Sequence, residues 1–184
     1  MTKRRRKINL GIVLLFVLVV GVVVYCAIDE SKFYARKDTA KEKGKVFITG
    51  LAEVCTWPKD MPNVDALDIE RDPAKYLSYY DAGLAKVKPH IYNSKALEEE
   101  IKNYALVFDR EYLLIDEKPV QVTFDSQFSK IIIKKNTAQI KGVINSKVTV
   151  SKGKIKEKDF NIELHLEYRN DTWVVVDFMV DQYM

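Results

Sequence analysis

Cysteine, histidine and glycine are scarce in this sequence, at two, two and seven residues in 184, and each shortage excludes something. With so few glycines there is no phosphate-cradling loop of the G-x-x-x-x-G-K-[ST] kind, and neither H-E-x-x-H nor G-x-S-x-G occurs. Cys26 falls in an apolar run and Cys55 in an expected helix, so an intrachain disulfide is not expected and no metal-ligand spacing exists. His90 follows Pro89 in a turn with no companion ligand, which makes it a solvated histidine. We therefore expect no catalytic residues, no metal and no cofactor.

Charge is missing from one long stretch. Leu10 to Ile28, "LGIVLLFVLVVGVVVYCAI", carries no charged side chain and follows the basic run Lys3, Arg4, Arg5, Arg6 and Lys7. At about 1.5 Å per residue the stretch makes roughly 28 Å of helix, close to the ~30 Å hydrocarbon core of a bilayer. It reads as one uncleaved transmembrane helix, because Tyr25 and Ile28 spoil the small-residue pattern of a cleavage site. The positive-inside rule places the tail in the cytoplasm and the remainder outside the cell membrane. The expected organisation is a basic tail at 1–9, a transmembrane helix at 10–28, a stem helix at 29–45 and an extracytoplasmic α+β domain at 46–184.

The net charge of +4 belongs to that basic tail, and the rest of the chain is close to neutral, so overall charge does not argue for a nucleic-acid partner. Locally, Lys130, Lys134, Lys135, Lys141, Lys147, Lys152, Lys154, Lys156 and Lys158 form a lysine-rich stretch. Solvated strand faces and turns are its ordinary use; contact with nucleic acid, cell wall or lipid is the alternative.

Beyond the stem, Phe47, Leu51 and Val54 recur at helical spacing, up to a stop at Trp57-Pro58. Asp72-Pro73 looks like a capped helix start, with Tyr76, Leu77, Tyr80, Leu84 and Val87 as its apolar stripe and the tyrosines used for packing. Ser94 is placed to cap a further helix with Leu97, Ile101, Tyr104, Ala105 and Phe108 facing inward. After about Asp109 the period changes to two, in "VQVTF", "KIIIK", "AQIKGVINSKVTV", "FNIELHLEY" and "WVVVDFMV". Helices followed by antiparallel strands predict one α+β domain with its helices on one face of a sheet.

The last two strands, "HLEYRNDTWVVVDFMVDQ", form a hairpin. Phe160, Ile162, Leu164, Leu166 and Tyr168 are the core face of the first strand. A three-residue loop, Asn170 to Thr172, would pair Leu164 with Phe178 and Leu166 with Val176, keeping the faces unmixed. The Asn-Asp-Thr triplet, formally a glycosylation acceptor, is read as turn chemistry. In that register Arg169 faces Trp173, Glu167 faces Val175, His165 faces Asp177 and Glu163 faces Met179. An apolar line of Trp173, Val175 and Met179 bordered by Glu167 and Arg169 then looks like a partner surface. The His165 and Asp177 pair resembles a base with its orienting carboxylate, but no nucleophile is placed beside it. Ser146 is the polar exception on the expected core face.

A basic tail, one apolar span, a stem helix, then helices and a curved antiparallel sheet ending in "W-V-V-V-D-F" resembles the nuclear transport factor two-like fold. With this topology the chain is similar to the bitopic VirB-eight-type components of type IV secretion systems, especially the TraH-type transfer proteins of Gram-positive conjugative plasmids. The Asn-Pro-centred motif of the proteobacterial members is absent, so no motif residue carries over. The resemblance implies a non-enzymatic assembly factor whose partners are the membrane, other channel subunits and further copies of itself. A ligand-binding, sensor or enzymatic module of the same fold is the alternative.

Overall fold

In a computed structural model, residues 10–181 are described, except for the side chains at 10–14, 28 and 31. The topology residues Lys3, Arg4, Arg5, Arg6 and Lys7 lie outside the described residues. The order of elements is α1 (Leu10–Val54), α2 (Ala66–Arg71), a 3-10 segment (Pro73–Tyr80), α3 (Asp81–Val87), a 3-10 turn (Lys88–His90), α4 (Lys95–Leu113), and strands β1 (Pro119–Lys134), β2 (Thr137–Val150), β3 (Ile155–Arg169) and β4 (Thr172–Asp181). The strands form one antiparallel sheet in the order β1-β2-β3-β4. This is the expected α+β arrangement, with helices on one sheet face.

The stem and the first domain helix are a single element, since α1 runs unbroken for 45 residues. No proline lies within it, so nothing interrupts its hydrogen-bond ladder. Among the described residues no helix is long and apolar enough to cross a membrane. The expected span at 10–28 is helical from Leu10, and its side chains at 10–14 and 28 lie outside the described residues. Contacts divide the chain into a segment ending at Asp38 and a compact body beginning at Thr39.

Within that body, Phe47, Ile48, Leu51 and Val54 of α1 are buried with Leu97, Ile101, Ala105 and Phe108 of α4 and with Ile140, Ile144, Phe160, Ile162 and Leu164 of the sheet. The tyrosine stripe is used as expected, with Tyr76, Tyr80, Leu84 and Val87 buried, but over its first half the backbone is 3-10. Asp72 makes no side-chain cap, and Ser94 makes none to α4. The cap that forms is a reciprocal one between Asp65 and Asp68, at the start of the short α2 that periodicity did not reveal.

The expected strands at "VQVTF" and "KIIIK" are one strand, β1, with an irregularity between Phe128 and Lys130. Ser129 is the extra residue, and it lets Phe128, Ile131 and Ile133 all pack against the core. Gly142 lies opposite this bulge. A Cβ there would lie 2.8 Å from Phe128 Cα and against the Gln127 carbonyl oxygen, so only glycine permits the approach.

The final hairpin corrects the expected register. Its turn has two residues, Asn170 and Asp171, both at positive φ, and Arg169 pairs with Thr172. An irregularity after His165 absorbs the extra residue: Leu166 pairs with Val175, His165 pairs with Asp177, and Val176 is the bulge. Trp173 and Val175 therefore point to the core, at 1% and 0% exposure, while Met179 stays outside at 51%. The Asn-Asp turn matches strand twist better than a longer loop. A bulge then restores the phase that the apolar pattern demands.

Candidate functional site

The sheet face away from the helices is the surface that this register leaves for contact. Of the expected partner line, Trp173 and Val175 are absent from it. The Trp173 indole N–H donates to Thr39 Oγ1 at 3.2 Å, and its ring meets Tyr168 edge-on at 5.2 Å; both interactions are internal. Val174 and Val176 take the outward positions instead, half-buried beside Asp177, with Met179 exposed beyond them.

At the centre of the face stands Glu163. One carboxylate oxygen accepts from Gln139 Nε2 and lies 2.9 Å from His165 Nε2, and the other is paired with Lys141. The bonds from Lys141, His165 and Gln139 hold this carboxyl down at about 2. The other ring nitrogen of His165, Nδ1, lies 3.3 Å from Asp177 Oδ2. His165 and Asp177 are thus together, as their register requires, but both imidazole nitrogens are committed to carboxylates. Ser129, whose hydroxyl donates to the Lys141 carbonyl at 3.3 Å, lines a cleft of about 270 Å³ with Glu163 and Met179. His165 lines a different one, of about 380 Å³, with Ile132, Gln139, Glu167 and Val176. Among the described residues no nucleophile–base contact joins the two.

Arg169 and Glu167, expected to border the partner line, bind each other, with Arg169 Nε donating to Glu167 Oε2 at 2.6 Å. The guanidinium also covers the Tyr92 ring at 4.3 Å. Tyr92 belongs to the loop whose Ile91 bridges to Val175 and whose own N–H donates to the Val175 carbonyl at 2.7 Å. These contacts tie the start of β4 to the loop before α4.

Four of the nine lysines in the lysine-rich stretch are paired with acids in place. Lys141 pairs with Glu163, Lys147 with Glu157, Lys152 with Asp116 and Lys156 with Glu117. A cleft of about 300 Å³ contains Asp65, Asp68, Asp116, Glu117 and Lys118, but two of its acids are engaged in the α2 cap and Glu117 in the pair with Lys156. Among the described residues no group of His, Cys, Asp and Glu could hold a metal ion. His90 is lowered by burial and by Lys43, whose Nζ stands 3.3 Å from its Nδ1.

One polar centre escaped the sequence reading. Asp109, on α4, is fully buried and accepts a 2.7 Å bond from the Tyr80 hydroxyl, while its Oδ1 has no hydrogen-bond partner among the described residues. Burial pushes its carboxyl well up, the Tyr80 bond pulling the other way. The same burial, then the nearby Asp109, raises the Cys55 thiol, and burial and Glu111 push the Tyr112 phenol up to about 12. Asp109 is eight residues beyond Ile101 and four beyond Ala105, which places it on the inward stripe by helical spacing alone. Ser146 is also buried, its hydroxyl without a hydrogen-bond partner among the described residues.

No protein-family model and no curated protein matches this sequence. Among solved structures it is similar to a nuclear transport factor 2-like superfamily protein from Salmonella enterica serovar Typhimurium, at 12% identity over 63% of this chain and 89% of that one, with a TM-score of 0.44. A nuclear transport factor 2-like protein of unknown function from Shewanella oneidensis aligns at 15% identity over 66% of this chain and 100% of its own, with a TM-score of 0.37. A third, described as a nuclear transport factor 2-like protein involved in plasmid conjugation, aligns at 8% identity over 78% of this chain and 50% of its own, with a TM-score of 0.37.

Proposed function

We propose that this chain is a membrane-anchored, non-enzymatic assembly component of a conjugative type IV secretion channel, and that it works through protein–protein contacts on its sheet. The observation that carries the anchoring is α1. From Leu15 to Tyr25 its large apolar side chains are exposed on every side of the helix, a pattern that water penalises and lipid accepts. Farther along the same helix, Ala40, Phe47 and Leu51 are core residues of the folded body. The secretion role rests on the resemblance in element order. The contact role is supported by the outer face, where Met179, Val143 and the two half-buried valines Val174 and Val176 stand among charges.

Crosslinking in membranes, comparing wild type with Met179→Glu and identifying partners by mass spectrometry, tests this reading. Secretion-channel subunits recovered with wild type and lost in the variant are the expected result. Release of the chain by alkaline carbonate would overturn the anchoring.

A ligand-binding or enzymatic module is the second reading, and Asp109 favours it, as a buried acid aligned with Tyr80. It requires a small molecule whose binding is abolished by Asp109→Asn while the fold survives.

A further inference from the structure

The sheet has two edges, and each is open over part of its length. The start of β1 is covered, because Trp57 N–H donates to the Pro119 carbonyl and Val122 N–H to Thr56 Oγ1. The start of β4 is covered by the bridge from Ile91. Beyond these points, no further strand among the described residues pairs with Lys130–Lys134 on one edge or Asp177–Asp181 on the other. Unpaired backbone on an edge strand is a template for another strand.

The side chains at the two edges are complementary. After the Ser129 bulge, Lys130, Ile132 and Lys134 are the outward residues of β1; after the Val176 bulge, Asp177, Met179 and Asp181 are those of β4. In antiparallel pairing of β1 from one copy with β4 from another, Lys130 meets Asp181, Ile132 meets Met179 and Lys134 meets Asp177. On the core side the same register sets Ile131 against Val180 and Ile133 against Phe178, apolar against apolar. Among the described residues no ion pair engages Lys130, Lys134 or Asp181.

The same charges oppose the symmetric alternatives. Pairing β1 with β1 about Ile132 sets Lys130 against Lys134, and pairing β4 with β4 about Met179 sets Asp177 against Asp181. Like charges directly across strands are destabilising and opposite charges favourable.

We propose that copies of this chain associate head to tail, β1 edge to β4 edge, extending one continuous sheet with the helices of successive copies on the same side. Such a contact is heterologous and builds rings or filaments. It is independent of which apparatus the chain serves, so its failure leaves the secretion reading to its own test.

Full-length chain in membranes, with Cys26→Ser, Ile132→Cys and Met179→Cys and a short bis-maleimide, reads the contact directly. The double-cysteine chain is expected to give a ladder extending beyond dimers, and chains with either cysteine alone little dimer. In the double-cysteine background, Lys130→Asp with Lys134→Asp, or Asp177→Lys with Asp181→Lys, each lowers the ladder by about tenfold or more. Co-produced, the two charge-reversed chains restore it, because each then offers an edge that only the other can accept. Dimers from Ile132→Cys alone or Met179→Cys alone that match the double variant would overturn the proposal. So would a ladder indifferent to the charges, or no crosslinking at all.

Discussion

Trp173 and Met179 lie six residues apart on β4 and on opposite sides of the sheet, and their substitution should separate accordingly. Trp173→Ala removes a buried ring and is expected to cost about 3–5 kcal/mol, whereas Met179→Ala, at the surface, should stay within about 0.5 kcal/mol; urea denaturation of both measures it. Two carboxylates should give opposite pH slopes. Glu163 is held low, at about 2, so its contribution is present above its ordinary range and fades as pH falls from about 4.5 towards 2. The stability difference between wild type and Glu163→Gln should therefore shrink over that acid interval. Asp109 is raised by burial, so the folded state favours its protonated form and stability declines as pH climbs above the ordinary carboxylate range. Thermal melts of Asp109→Asn should gain on wild type as pH rises; a constant difference would show that Asp109 keeps an ordinary pKa.

At the scale of the element, two bulges and one turn set which side chains face out. Asn170 and Asp171 both sit at positive φ, where a β-branched residue is strained. Asp171→Val should destabilise by about 1–2 kcal/mol relative to Asp171→Gly, read by chemical denaturation. At the β1 bulge, Gly142→Ala forces a methyl against the facing backbone, and a loss of about 1–3 kcal/mol is expected. Faster amide exchange confined to the β1–β2 ladder would locate that loss. In "WVVVDFMV" the run Trp173 to Val176 is apolar throughout and fits either phase, while Phe178 and Val180 are even; the fold buries the odd Trp173 and Val175 and then the even Phe178. A change of phase within one strand means an extra residue, and a three-residue loop is the alternative that the turn chemistry disfavours.

For the whole molecule, α1 belongs to the fold from Thr39 onward. Thr39 receives the Trp173 indole, Ala40 is buried, and a Cβ on Gly44 would stand 3.2 Å from Leu164 and Phe128 side-chain atoms. A fragment beginning at Thr39 should melt in one cooperative transition. One beginning at Cys55, stripped of Phe47, Ile48, Leu51 and Val54, should show no such transition by circular dichroism.

The succession of helices first and antiparallel strands after, the even core face of β3 and the inward stripes of α1 and α4 were readable from periodicity, because burial imposes a period on the chain. The placement of Trp173 and Val175 was decided only in the folded sheet. Two registers satisfied the apolar pattern almost equally, and the choice lay in backbone geometry at Asn170, Asp171 and Val176, which hydrophobicity does not encode. Asp109 was legible by spacing, yet its proton affinity depends on which helices close over it. The match between the two sheet edges needed both bulges in place, since each sets the phase of the charges beyond it.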